Sequence, residues 1–114
     1  MAEYQRMLSE RDYVAKAEAE LTRLIAALDE LGDDVVAELM GDILDLEFED
    51  GSKFIINSHR AARQIWMAAG RNAWHFDYDP GTSRWLASKG GEELWQTLCD
   101  LLSTKLGRKV QLVA

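Results

Sequence analysis

The chain has 114 residues, 47% of them hydrophobic, with 13 Lys and Arg against 20 Asp and Glu and a formal net charge of −7. That length and apolar fraction describe one domain with a real core. No apolar run approaches the roughly 18–20 residues of a spanning helix, and an acidic balance is the wrong sign for phosphate contacts, so integral membrane and nucleic-acid-binding classes are excluded. The single cysteine, Cys99, builds no disulfide framework and no multi-cysteine metal centre within this chain. Neither a basic-then-apolar leader nor an Arg/Ser-rich transit segment is legible, so a bacterial cytoplasmic protein is expected.

The charge is unevenly spread. Residues 1–50 hold 15 acids and four bases, and between Arg23 and Lys53 ten acids occur with no base: Asp29, Glu30, Asp33, Asp34, Glu38, Asp42, Asp45, Glu47, Glu49 and Asp50. Such a segment repels itself, and a cation or a basic partner relieves the repulsion. A solvated surface that merely keeps the protein soluble is the plain alternative.

Residues 1–11 read as an N-terminal extension that either precedes the first helix or lengthens it, with Ser9 able to cap and Asp12 three residues on. A single domain occupies residues 12–114. From Asp12 to Leu31 the apolar positions Val14, Ala17, Leu21, Leu24, Leu28 and Leu31 step by three and four, one stripe of an amphipathic helix that Ile25 widens. Glu18, Thr22 and Asp29 fall on another face. Gly32 ends the helix. Asp29 and Glu30 then sit at the negative end of the helix dipole, a placement that costs stability and so points to a use.

Val35–Glu38 is predicted as a first edge strand. Leu44, Leu46 and Phe48 then alternate with Asp45, Glu47 and Glu49, the period of a half-buried strand. Asp50-Gly51 signals a hairpin. A three-residue loop with Gly51 left-handed pairs Leu46 with Phe54, Leu44 with Ile56 and Glu47 with Lys53; a two-residue loop would mix the faces. The preferred register turns Asp45, Glu47, Lys53, Ile55 and Asn57 to solvent. Further strands are predicted at Gln64–Ala68, Ala73–Tyr78 and Arg84–Ala87, with a loop at Asp79–Ser83. A second helix runs from about Gly91 to Leu106, buried through Leu94, Trp95, Leu98, Leu101, Leu102 and Leu106, with Gly107 as its C-cap. Lys109–Val113 is a strand or an extended tail. The fold class is α+β: two helices packed on one face of an antiparallel sheet whose other face is open and carries Asn57 and Trp66.

Nucleotide-binding glycine motifs, H-E-x-x-H, C-x-x-C and E-x-x-H are all absent. His59 falls in a predicted loop and reads as solvated. His75, within Trp74-His75-Phe76, reads as a hydrogen-bonded structural residue, and Cys99 as a small buried hydrophobe. Trp85 and Trp95 read as core, whereas Trp66 and Trp74 are candidates for a surface role.

The run Phe48-Glu49-Asp50-Gly51-Ser52-Lys53-Phe54-Ile55-Ile56-Asn57, then Gln64-Ile65-Trp66, His75-Phe76-Asp77, Trp85 and Gly91-Glu92 before a Leu/Trp-rich helix, closely resembles the frataxin family in its bacterial, CyaY-type branch. The resemblance spans roughly residues 12–113. It implies a two-layer α–β sandwich that binds iron weakly along an acidic ridge and associates with the cysteine desulfurase and scaffold protein of iron–sulfur cluster assembly, as iron donor or as regulator of the rate. By position, the metal-binding ridge would comprise Glu18, Asp29, Glu30, Asp33, Asp34 and Glu38, and the partner-binding sheet patch Asn57, Gln64 and Trp66. Ile25 and Ala26 replace acids common in the branch, so the ridge is thinner; Ala61 stands where proline is usual. A monomer without iron, and no catalytic residue, are expected. A ferroxidase and an acidic interaction module without physiological metal are the competing classes.

Overall fold

The computed structural model describes residues 8–113; the expectations for residues 1–7 lie outside them. The elements in chain order are α1 (Glu10–Asp29), β1 (Val35–Met40), β2 (Ile43–Phe48), β3 (Lys53–His59), β4 (Gln64–Ala69), β5 (Asn72–Asp79), β6 (Arg84–Ala87) and α2 (Leu94–Leu106). The six strands form one antiparallel sheet in sequence order, β1-β2-β3-β4-β5-β6. Both helices lie on one face of it, as the hydrophobic patterning predicts.

Helix α1 begins and ends two residues earlier than its apolar stripe suggests. Ser9 is the N-cap, its hydroxyl accepting the Asp12 N–H at 3.1 Å. At the other end the Leu31 N–H reaches back only to the Leu28 carbonyl, at 3.0 Å. Gly32, with φ +71°, then opens a three-residue 3-10 turn, Gly32–Asp34. Tyr13, Ala17, Leu21, Leu24, Ala27 and Leu28 are buried, while Val14, which the stripe includes, is only partly covered. Tyr13 fills that core place instead. Its ring meets the edge of Trp85 at 6.1 Å and its hydroxyl donates to the Gln64 carbonyl at 2.7 Å. Burial raises the Tyr13 pKa above the ordinary phenol value.

The β2–β3 hairpin has the predicted register: Leu44 opposite Ile56, Leu46 opposite Phe54, Glu47 opposite Lys53. The Phe48 N–H donates to the Ser52 carbonyl at 2.9 Å, closing a three-residue loop with Gly51 at φ +85°. Leu44, Leu46, Phe48, Phe54, Ile56, Ile65, Met67, Phe76 and Trp85 face the helices and are buried. Their alternates face outward.

Helix α2 starts at Leu94 and not at Gly91, because Gly90 and Gly91 hold φ +96° and +78°. Glu93 is the N-cap, accepting the Trp95 and Gln96 N–H groups at 2.8 and 3.0 Å. Gly107 ends the helix in the left-handed conformation, as expected. Residues 109–113 form no strand. They run as an extended tail whose Val110 is buried and whose backbone is tied to α2 through Ser103 Oγ at 2.8 Å and Cys99 Sγ at 3.3 Å.

Candidate functional site

The chain supplies two surfaces that chemistry can use. The first is an acid corner where α1 hands over to β1. Asp29 is the last residue of α1, Glu30 its C-cap, and Asp33 and Asp34 form the turn that follows; all four are exposed. No basic residue stands in the last turn of α1, so Asp29 and Glu30 face the negative end of its dipole uncompensated. Asp34 is paired with the guanidinium of Arg108, which reaches it from beyond α2. Among the described residues Asp29, Glu30 and Asp33 have no ion-pair partner.

The other two acids expected on the ridge lie elsewhere. Val35 is buried, so the even positions of β1 point away from the helices and Glu38 belongs to the open sheet face. There it stands directly opposite Asp45, whose carboxylate is 3.3 Å from the Lys53 ammonium. Glu18 lies eleven residues before Asp29, roughly 16 Å along the helix axis at the standard rise. It lines a groove of about 490 Å³ with Thr22, Leu39, Asp42 and Arg60 at the opposite end of α1. Among the described residues no group of three or more Asp, Glu, His or Cys side chains stands close enough to hold one ion.

The second surface is the open face around β4. Asn57, Trp66 and His75 are successive cross-strand neighbours on β3, β4 and β5, and Gln64 faces Asp77. The Trp66 indole N–H donates to Gln64 Oε1 at 2.8 Å, and the Gln64 amide donates to Asp77 Oδ1 at 3.0 Å. This chain of bonds fixes the indole ring on the surface. The loop expected at His59 is a correction: His59 closes β3 and its ring stacks on Trp66 at 3.8 Å. It does so because the β3–β4 connection turns tightly through a 3-10 segment, Arg60–Ala62, with Arg63 left-handed at φ +53°. His75 stacks on the same indole at 4.2 Å.

Sequence reasoning missed Glu20. It is only 4% exposed and lies between the helices, where its carboxylate accepts from the Arg23 guanidinium at 2.5 Å and from the Trp95 indole N–H. Trp95, expected in the core, is accordingly half-buried at this polar contact. The sequence marks Asp50 only as a hairpin residue and as one of the ten acids. It binds the Lys105 ammonium at 2.7 Å, and that bond, with those from Ser52, holds its carboxyl well below the usual range. The long-range partners Trp95 and Lys105 gave no local signal.

The architecture is a two-layer α–β sandwich, two helices on a six-stranded antiparallel meander, with an acid corner at the helix–strand junction and an open tryptophan face. A family model described as a frataxin-like domain matches residues 6–108. The chain is 38% identical over 111 residues to the iron-sulfur cluster assembly protein CyaY of Ralstonia nicotianae, covering 94% of this chain and 96% of that one. It is 40% identical over 112 residues, with the same two coverages, to the protein of that name in Ralstonia pickettii. Its fold matches that of frataxin from Psychromonas ingrahamii with TM-score 0.84 at 26% identity, over 94% of this chain and 100% of that one. A trimeric frataxin from the yeast Saccharomyces cerevisiae, in its ferrous complex, matches in fold with TM-score 0.71 at 24% identity, over 82% and 87% of the two chains. The chain belongs to the frataxin-like family.

Proposed function

We propose that the protein acts in iron–sulfur cluster assembly, as an iron donor or as a regulator of the cysteine desulfurase–scaffold complex, without being an enzyme itself. The observation that carries this reading is the acid corner of Asp29, Glu30 and Asp33, without ion-pair partners among the described residues, in a chain whose relatives are named for that process. Exposed carboxylates are hard oxygen ligands that suit Fe²⁺ or Fe³⁺ and leave the ion most of its water. Binding is then weak and exchangeable, which fits delivery or sensing better than storage. The same charge steers a basic surface of the desulfurase toward the corner, an advantage that salt removes. Metal and partner compete for one face, and Asn57, Gln64 and Trp66 give the scaffold a separate, aromatic contact. The protein is a cytoplasmic monomer when free of iron.

The test is capture of purified cysteine desulfurase with and without Fe²⁺, alongside anaerobic Fe²⁺ titration. The variant is Asp29→Lys with Glu30→Lys and Asp33→Lys, leaving Asp34 to its pairing with Arg108. The triple variant is expected to lose both iron binding and desulfurase capture, and saturating Fe²⁺ is expected to weaken capture of the parent protein. Capture and iron binding unchanged by the reversal would overturn the assignment, and oxygen consumption driven by Fe²⁺ would favour a ferroxidase.

A further inference from the structure

The open sheet face carries a feature that neither iron nor acid chemistry uses. Trp66 is sandwiched between two imidazoles, with interplanar angles of 11° to His59 and 13° to His75. Because β4 lies between β3 and β5, the two histidines take opposite faces of the indole. Their surroundings differ. His75 is exposed, with Asp77 two residues along the same face and Lys89 and Glu92 beside it. An imidazolium there keeps its hydration and gains a cation–π contact with the indole. Ring nitrogen Nδ1 of His59 is buried and has no hydrogen-bond partner among the described residues. The groups around His59 are Asn57 on its own strand, Gln64 and Trp66 from β4, Arg60 next in the chain and the Tyr13 hydroxyl from α1. Three carboxylates stand near this end of the sheet: Asp77, which accepts from the Gln64 amide opposite His59, and Asp42 and Glu18, which line the groove that also holds Arg60.

The stacked position of His59 therefore suits the neutral ring with its proton on Nε2. A second proton, on Nδ1, would be a buried charged donor with no acceptor, a costly arrangement that a turn of the side chain into solvent relieves. Imidazole is the side chain whose charge changes between pH 5 and 8. We propose that His59, Trp66 and His75 form a proton-triggered clamp: at neutral pH both imidazoles hold the indole in one orientation, and protonation of His59 swings that ring away and frees one face of Trp66. This rests on the reading of the Trp66 face as a partner surface only for its purpose, since the movement is intrinsic to the chain. A scaffold contact through Trp66 would then depend on pH through His59.

The experiment is a ¹H–¹⁵N spectrum of the four tryptophan indole groups between pH 8 and pH 5, with Trp66 assigned by Trp66→Phe. His59→Phe keeps an aromatic ring on the indole but has no proton to gain, and His75→Phe does the same on the other side. The Trp66 indole resonance is expected to move through the range while the other three stay in place, and nuclear Overhauser contacts between His59 and Trp66 present at pH 8 are expected to be lost at pH 5. In His59→Phe most of that movement should vanish; in His75→Phe most of it should persist. A Trp66 resonance that stays fixed in the parent protein, or moves equally in His59→Phe, overturns the clamp. No partner is present in this measurement, so its failure leaves the docking assignment standing. That assignment fails separately, if Trp66→Ala captures the scaffold protein at pH 8 as well as the parent does.

Discussion

Neutralising the end of α1 should make the protein more stable and less functional at once. In Asp29→Asn with Glu30→Gln, two carboxylates leave the last turn and cap of a helix that has no basic residue there. Each unfavourable charge at a helix terminus costs about 0.3–1 kcal/mol at low ionic strength. Relief of their repulsion with Asp33 adds to this, while the exposure of all three lowers each contribution through solvent screening. A net gain of about 1 kcal/mol is expected. With an unfolding entropy near 2.1 cal/mol/K per residue, that gain raises Tm by about 4 °C for a domain of this size. Thermal melts by circular dichroism in 10 mM buffer give the comparison, and repeating them in 0.5 M NaCl, where the Debye length falls to about 4 Å, should shrink the difference to roughly 1 °C. The parent protein itself should melt higher in salt. A variant that melts no higher than the parent at low salt, or whose advantage survives high salt undiminished, would refute the claim that these acids work against the fold.

Two other consequences can be measured. Glu20→Leu fills the space between the helices but leaves the Trp95 indole N–H without its acceptor, and a loss of about 1–3 kcal/mol is expected in denaturant unfolding, with Glu20→Gln closer to the parent. For Asp50 the folded-state pKa lies below the unfolded value, so its bond to Lys105 contributes stability that is complete above the unfolded carboxylate range and disappears as pH falls through the depressed folded value. Lys105→Gln should therefore lower Tm slightly at pH 6, and by progressively less as pH falls below the unfolded carboxylate range; an effect that does not shrink on acidification would assign Lys105 to packing against Phe48, whose ring its ammonium overlies at 5.4 Å.

The hairpin from Leu44 to Asn57 was legible to the residue because three local signals agree there: alternation of period two, Asp-Gly at the turn, and a single register that keeps one face apolar. Helix α1 was legible from its stripe, though its ends were set by Ser9 and Gly32 and not by the last apolar residue. The acid corner was readable as far as chain continuity carries it, from Asp29 to Asp34. Glu38 and Glu18 do not join it, because the first is placed by the alternation of β1 and the second by the rise of a helix, both of which carry a side chain away from its sequence neighbours. Glu20 and His59 were opaque for a different reason. Their partners, Trp95 and Trp66, are met across tertiary contacts that no local pattern encodes.

The ordered meander bears on how the chain reaches its native state. Each strand pairs with the one before it, so the sheet closes through loops of a few residues whose entropic cost is small. The helices are the exception: α1 precedes every strand and α2 follows them all, and the tie between them, Glu20 with Trp95, spans most of the chain, as does the contact of Tyr13 on α1 with Trp85 on β6. The topology therefore predicts that hairpins pair early and locally and that the two chain ends meet last, over an already paired sheet.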